Sequence, residues 1–96
     1  MAYRLSTAAQ FDLFKIALDG LEQFGPSQVA RYEAGLQKTL ERLSRNPRLA
    51  TEHQEYSPPV RTFPFRAHVI IYRIEEDEIF VIRICNARED WTRFEA

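Results

Sequence analysis

Apolar side chains recur at spacings of three and four along the first third of the chain: Ala8, Phe11, Phe14, Ile16 (or Leu13 and Ala17), Leu18 and Leu21. That period belongs to an amphipathic helix. Ser6 or Thr7 suits its N-cap, because a hydroxyl there accepts one of the free backbone N–H groups. The helix is expected to fail at Phe24-Gly25, where glycine supplies a C-terminal residue outside helical geometry. Pro26 fits the first turn of a second helix, in which its missing N–H costs nothing. Val29, Tyr32 or Glu33, Leu36, Leu40 and Leu43 form the apolar stripe of that helix, with Lys38, Glu41, Arg42 and Arg45 largely off it. Asn46-Pro47 ends it. The short break between the two helices predicts an antiparallel hairpin.

The period then changes from near four to two. Residues Arg48–Pro59 are polar and aperiodic and predict a loop. Val60–Phe65 alternates, and Pro64 assigns it to an edge or a bulge, since proline cannot donate to a ladder. Ala67–Ile74 and Ile79–Cys85 are β-branched and aromatic around the acidic turn Glu75–Glu78, which predicts a β-hairpin. Tyr3–Ser6 makes a further short strand at the N-terminus. The fold class is therefore α+β: an N-terminal strand, a helical hairpin, and a three-stranded antiparallel meander forming one small sheet packed on the helices.

Pairing Ile74 with Ile79 sorts the side chains of the hairpin into two faces. Val69, Ile71 and Arg73 join Phe80, Ile82 and Ile84, a nearly continuous apolar face expected against the helices. His68, Ile70, Tyr72, Ile79, Val81, Arg83 and Cys85 take the other face, which mixes bulky apolar groups with an imidazole, a phenol and a guanidinium. A slip of one residue would exchange the two sets. A mixed face of this kind suits a partner-binding surface.

Composition narrows the class. With 96 residues, 45% hydrophobic and 12% aromatic, residues 1–96 read as one domain able to bury a core without disulfides or metal. The net charge is −1, so the total does not point to nucleic acid, and no direct DNA contact is expected of the chain alone. Cys85, the one cysteine, sits in an apolar run and reads as a buried hydrophobe. His53 lies in the loop without neighbours at metal-ligand spacing, and no metal or cofactor is expected. No basic stretch followed by an apolar one opens the chain, and no run reaches the ~18 residues of a membrane span, which suits a cytoplasmic protein with no membrane contact.

Ordered features along the chain resemble the ParE-type toxins of the RelE/ParE toxin–antitoxin superfamily. They run from Tyr3-Arg4-Leu5-Ser6 and Ala9-x-x-Asp12-Leu13-x-x-Ile16 to Phe24-Gly25-x-x-Gln28-Val29-Ala30-x-Tyr32. Leu36, Leu40, Leu43 and Asn46-Pro47 follow. The most specific stretch is Arg66-x-His68-Val69-Ile70-x-Tyr72-Arg73-Ile74, with Ile79-x-Val81-Ile82-Arg83-Ile84 and Ala87-Arg88-x-Asp90-Trp91 after it. The resemblance implies a toxin neutralised by a ParD-like antitoxin in a hetero-oligomeric complex. It also implies inhibition of DNA gyrase by binding. RelE-type members instead cleave messenger RNA on the ribosome, and a remnant that only binds its antitoxin is a third reading. Two departures bear on that choice. The chain reads Cys85-Asn86 where members commonly carry a leucine–histidine pair, and its tail holds no tyrosine. Trp91 cannot substitute, because an indole N–H only donates.

No residue is assigned a catalytic role. Arg61, Arg66, His68, Tyr72, Arg83, Arg88 and Trp91 are the candidates for contact with antitoxin or target. Within that set His68 reads first as a hydrogen-bonded structural or interface residue, and Arg61, Arg66 and Arg88 as rim charges. Arg83, in mid-strand, needs a carboxylate, a carbonyl or an anion; Asp90 or Glu89 is the expected internal partner. Leu18, Leu21, Tyr32, Leu36 and Leu40 cannot all face one small sheet, so an antitoxin groove is expected among them.

Overall fold

The computed structural model describes residues 2–91. The chain runs β1 (Tyr3–Leu5), α1 (Thr7–Phe24), α2 (Pro26–Arg45), β2 (Thr51–His53), β3 (Val60–Phe65), β4 (His68–Glu75) and β5 (Glu78–Asn86). The five strands form one sheet in the order β1-β5-β4-β3-β2. β1 pairs with β5 in parallel and the other neighbours are antiparallel, so the sheet is mixed. The sequence-based expectation of an antiparallel sheet of fewer strands is corrected in both respects. Residues 48–59 are also not wholly loop: β2 lies within them, held by three residues paired with β3. A segment that short carries too little alternation to be read as a strand.

Local chemistry explains the helix ends. The Ser6 hydroxyl accepts the Ala9 N–H at 2.9 Å and donates to the Ile82 carbonyl at 2.6 Å, so one side chain caps α1 and ties it to β5. Gly25 is the single residue between the helices, with φ 87°. A positive φ of that size favours glycine, which has no Cβ to clash. Pro26 opens α2 and Asn46 closes it. The helices approach closely where Gly20 faces Val29; a Cβ on Gly20 would lie 2.9 Å from a Val29 methyl.

β3 lies inside the sheet, yet Pro64 costs no ladder bond. β2 pairs only with Val60–Thr62, so Pro64 lies beyond its end while facing Val69 of β4. The β4–β5 connection is a two-residue turn, with Glu76 and Asp77 both at positive φ (50° and 67°). That backbone matches the right-handed twist of paired strands.

Ile74 pairs with Ile79 as the alternation predicts, but the assignment of faces is reversed as far as Ile82, and only Ile84 and Cys85 lie on the sides expected of them. Ile70, Tyr72, Ile79 and Val81 pack with Ala9, Leu36, Leu40 and Leu43 in the core under the helices. Val69, Ile71 and Ile82 lie on the outer face with Val60, Phe80, Tyr56 and Trp91. The pairing shifts between Ile71 and Tyr72: Tyr72 faces Val81, whereas Ile71 faces Arg83. Ile82 is the extra residue of a β-bulge, which changes the phase of the strand. Beyond it Ile84 joins the helix-side core and Cys85 the outer cluster, each opposite to a regular alternation. Both faces are covered, so apolar content alone could not tell them apart.

Candidate partner-binding site

α1 has two apolar faces. Ala9, Leu13 and Ile16 point into the core. Around the same helix Phe11, Phe14, Leu18 and Leu21 are 66%, 60%, 49% and 45% exposed, and Phe24 at its end is 60% exposed. These are the residues whose spacing marked the helix in the sequence, and they are the outside of it. Their 3-4-3 spacing is that of one seam of a coiled coil, able to receive side chains from a second helix. Of the expected groove residues, Leu18 and Leu21 belong to this seam. Leu36 and Leu40 do not: they are 2% and 3% exposed, packed between α2 and the sheet, and that part of the assignment is corrected.

Tyr32 is half-buried and lies elsewhere, in a cleft of about 700 Å³ between the helical hairpin and the β3–β4 turn. Ile16, Gly20 and Val29 line its helical wall; Arg66, His68 and Arg88 line the opposite wall. The Tyr32 hydroxyl and His68 Nδ1 are 2.5 Å apart, and the Phe65 carbonyl is 3.5 Å from the same hydroxyl. Burial raises the Tyr32 pKa and lowers that of His68, where Glu89 and Asp12 pull the other way. Both rings are therefore neutral at pH 7, and the pair is a hydrogen bond between neutral groups. Arg66 takes φ 51° in the turn. Its guanidinium stands 5.6 Å from the Phe65 ring centre and 5.9 Å from that of Tyr32. Arg66 and Arg88 are exposed, as rim charges should be.

A second, smaller cleft adjoins the first and shares His68, Asn86 and Arg88 with it. Arg83 lies at its wall and is bound by Asp12 of α1. Arg83 Nε and Nη2 donate to the two Asp12 oxygens at 2.7 and 2.9 Å, and the Ile84 N–H donates to the same carboxylate at 2.9 Å. The hydrogen bond that Arg83 donates to Asp12 is the chief cause of its raised pKa. The expected partners Asp90 and Glu89 are thus corrected to Asp12. The carboxylate sits one helical turn from Ala9 and Ile16, on the buried side of α1, and a polar residue at such a position was the available sign that it has an internal partner.

Other candidates are equally absorbed by the fold. Arg61 donates to the carbonyls of Ala50 at 2.8 Å and Arg48 at 3.4 Å and pairs with Glu52, so it fastens the turn before β2 instead of standing at a rim. Tyr72 is fully buried and donates to the Pro47 carbonyl at 2.7 Å. Trp91 packs on the outer cluster, with its ring centre 5.6 Å from that of His53. Cys85 is buried, and burial raises its thiol pKa, the opposite of what a reactive thiolate needs. Among the described residues no three His, Cys, Asp or Glu side chains gather in a metal-binding group, and no helix is long and apolar enough to cross a membrane.

The α1 seam is exposed and the cleft lies open beside the hairpin; comparison with known proteins gives the whole chain a family. The family model described as ParE toxin of type II toxin-antitoxin system, parDE, matches residues 3–91. Toxin ParE3 of Caulobacter vibrioides is 26% identical over 77 residues, which span 80% of this chain and 77% of that protein. A solved structure described as the chromosomal ParDE TA system from P. aeruginosa has the same fold, with a TM-score of 0.76 at 19% identity over 90% of this chain and 95% of the other. The chain belongs to the ParE toxin family of type II toxin–antitoxin systems.

Proposed function

We propose that this chain is neutralised by a ParD-like antitoxin whose amphipathic helix lies on the α1 seam, and that once released it inhibits DNA gyrase by binding. The observation that carries the first half is the run Phe11, Phe14, Leu18 and Leu21, all outside the core. Contiguous apolar surface of this kind on a small soluble domain marks an interaction site, and membership in a family defined by toxin–antitoxin pairing supplies the partner.

The second half is supported by how the arginines are used. A ribosome-dependent nuclease of the RelE type would direct Arg61, Arg66 and Arg83 at a phosphate as charge develops on it. Two of the three are spent on internal partners, Arg61 on carbonyls and Glu52, Arg83 on Asp12. Action by occupying a protein asks nothing of them.

The test separates the two halves. A double substitution Phe14→Glu/Leu18→Glu is expected to leave the circular dichroism spectrum and melting temperature nearly unchanged while abolishing co-purification with the antitoxin encoded beside the toxin. Undiminished capture by that variant would remove the seam from the proposal. The purified wild-type chain is expected to block supercoiling by gyrase, and its expression alone to cause filamentation with intact messages. Active supercoiling beside cleaved ribosomal messages would favour the nuclease. Arg66→Ala and Arg88→Ala are the variants for that comparison, since Arg83→Ala also strands Asp12.

A further inference from the structure

Four of the thirteen lysines and arginines stand on one strip of α2: Arg31, Lys38, Arg42 and Arg45. At 3.6 residues per turn these positions fall within an arc of about 60°. Leu36, Leu40 and Leu43, the buried residues of α2, lie on the opposite side, so the strip is the outermost face of the helix. All four cations are exposed, and Arg48, just past the helix end, is exposed as well.

Like Lys15, Arg48, Arg66 and Arg88, they differ from the cations that the fold pairs with carboxylates. Arg4, Arg61, Arg73 and Arg83 each have a carboxylate. None of the α2 four makes an ion pair among the described residues. The helix dipole favours Arg42 and Arg45 in the last turn, but its effect fades within a turn and does not reach Arg31 or Lys38.

The residues between the cations identify the partner. Ser27 shares the strip, with Ala34 and Glu41 at its edge, and neither Ser27 nor Ala34 can anchor a protein interface. Anchors of such interfaces are Trp, Tyr or Arg side chains packed in desolvated pockets; α1 displays the apolar neighbours such packing needs and this face of α2 lacks them. Contacts with nucleic-acid phosphates need only cations and small spacers that allow close approach. From Arg31 to Arg45 the strip spans about 21 Å at 1.5 Å per residue, enough to meet several phosphates of a duplex that carries one charge per ~1.7 Å of axis. A net charge near zero does not oppose this, because a total says nothing about distribution.

We infer that the outer face of α2 is a phosphate-contact surface that lies along the backbone of duplex DNA without reading its sequence. The proposal is independent of the antitoxin seam and of gyrase.

The test follows the purified full chain and a fluorescein-labelled duplex of arbitrary sequence by anisotropy as salt rises. The expected plot of log K against log salt falls with a slope of roughly −3 to −4, at about −0.9 per neutralised phosphate. The variant R31Q/K38Q/R42Q/R45Q keeps good helix formers at each position; it is expected to lose at least about tenfold in affinity and most of the slope. The half-variants R31Q/K38Q and R42Q/R45Q, each removing about half the slope, serve if the fourfold change lowers helicity. K15Q on α1 is the control and should bind as wild type. Absence of duplex binding at the lowest salt would overturn the proposal, as would an unchanged slope in the α2 variants. Displacement of the duplex by polyglutamate at equal charge would reassign the strip to an acidic protein.

Discussion

Asp12 is the residue on which the helical layer and the sheet are locked together, since one carboxylate serves Arg83 and the Ile84 N–H. Asp12 is 12% exposed and Arg83 31%, so the pair is only partly shielded and is worth less than a fully buried one. Asp12→Ala removes three bonds and leaves the guanidinium at the site; a loss of about 2–3 kcal/mol is expected from urea denaturation. The sequence shows that an arginine in mid-strand requires a partner. It does not show which, because Asp12 is 71 residues away and nearer acids compete on paper. His68 yields a second expectation. Burial holds its pKa below 6.5 in the folded state, so the unfolded chain binds the proton more readily. Stability contributed by the neutral ring is therefore complete above pH 6.5 and is lost as pH falls from there towards the folded-state value. His68→Gln should flatten the decline in urea midpoint measured from about pH 7 to about pH 5, and an equal decline in the variant would place the titration elsewhere.

At the scale of elements, the same helical spacing had two solutions on α1. Periodicity marks the presence and ends of a helix, and both ends were legible at Ser6 and Gly25. It cannot say which of two apolar faces turns inward. The smaller residues, Ala9 with Leu13 and Ile16, go in, since they let the helix approach the sheet, and the phenylalanines stay out. Leu36→Ala or Leu40→Ala should cost about 2–5 kcal/mol by emptying the core. Leu18→Ala should change stability by no more than about 0.5 kcal/mol. Thermal or urea melts of the three variants test the assignment directly. Gly20 gives the sharper case. An alanine in a helix interior ordinarily stabilises by up to about 1 kcal/mol, but here its methyl would press on the stiff Val29 side chain at 2.9 Å. Gly20→Ala is expected to destabilise, and Val29→Ala to restore the helical gain in the double variant. The β4–β5 faces were misassigned for a different reason: apolar clusters cover both sides of the sheet, so apolar content could not tell them apart, and the bulge at Ile82 changes only the phase of the residues beyond it.

For the whole molecule, one sheet separates two clusters of unequal cover. The helices close one side, while Tyr56, Phe80 and Trp91 pack on the outer cluster on the other. Trp91 is the only tryptophan, so its fluorescence reports on that side alone. Trp91→Ala should lower stability by about 2 kcal/mol and raise binding of a hydrophobic dye at neutral pH, with the circular dichroism spectrum retained. The family was readable in the sequence because its marks are spread over almost the whole chain. The mixed sheet was not, because its parallel member is the three residues of β1, whose partner lies at the other end of the chain. That pairing has a consequence in time. The Ser6 hydroxyl that caps α1 closes on the Ile82 carbonyl 76 residues later, and at about 5–20 residues per second a ribosome needs some seconds to bridge them. Throughout that interval the residues of the hairpin have been made but the strands they pack on have not, so the surface proposed for the antitoxin exists in the chain before the sheet that completes the toxin.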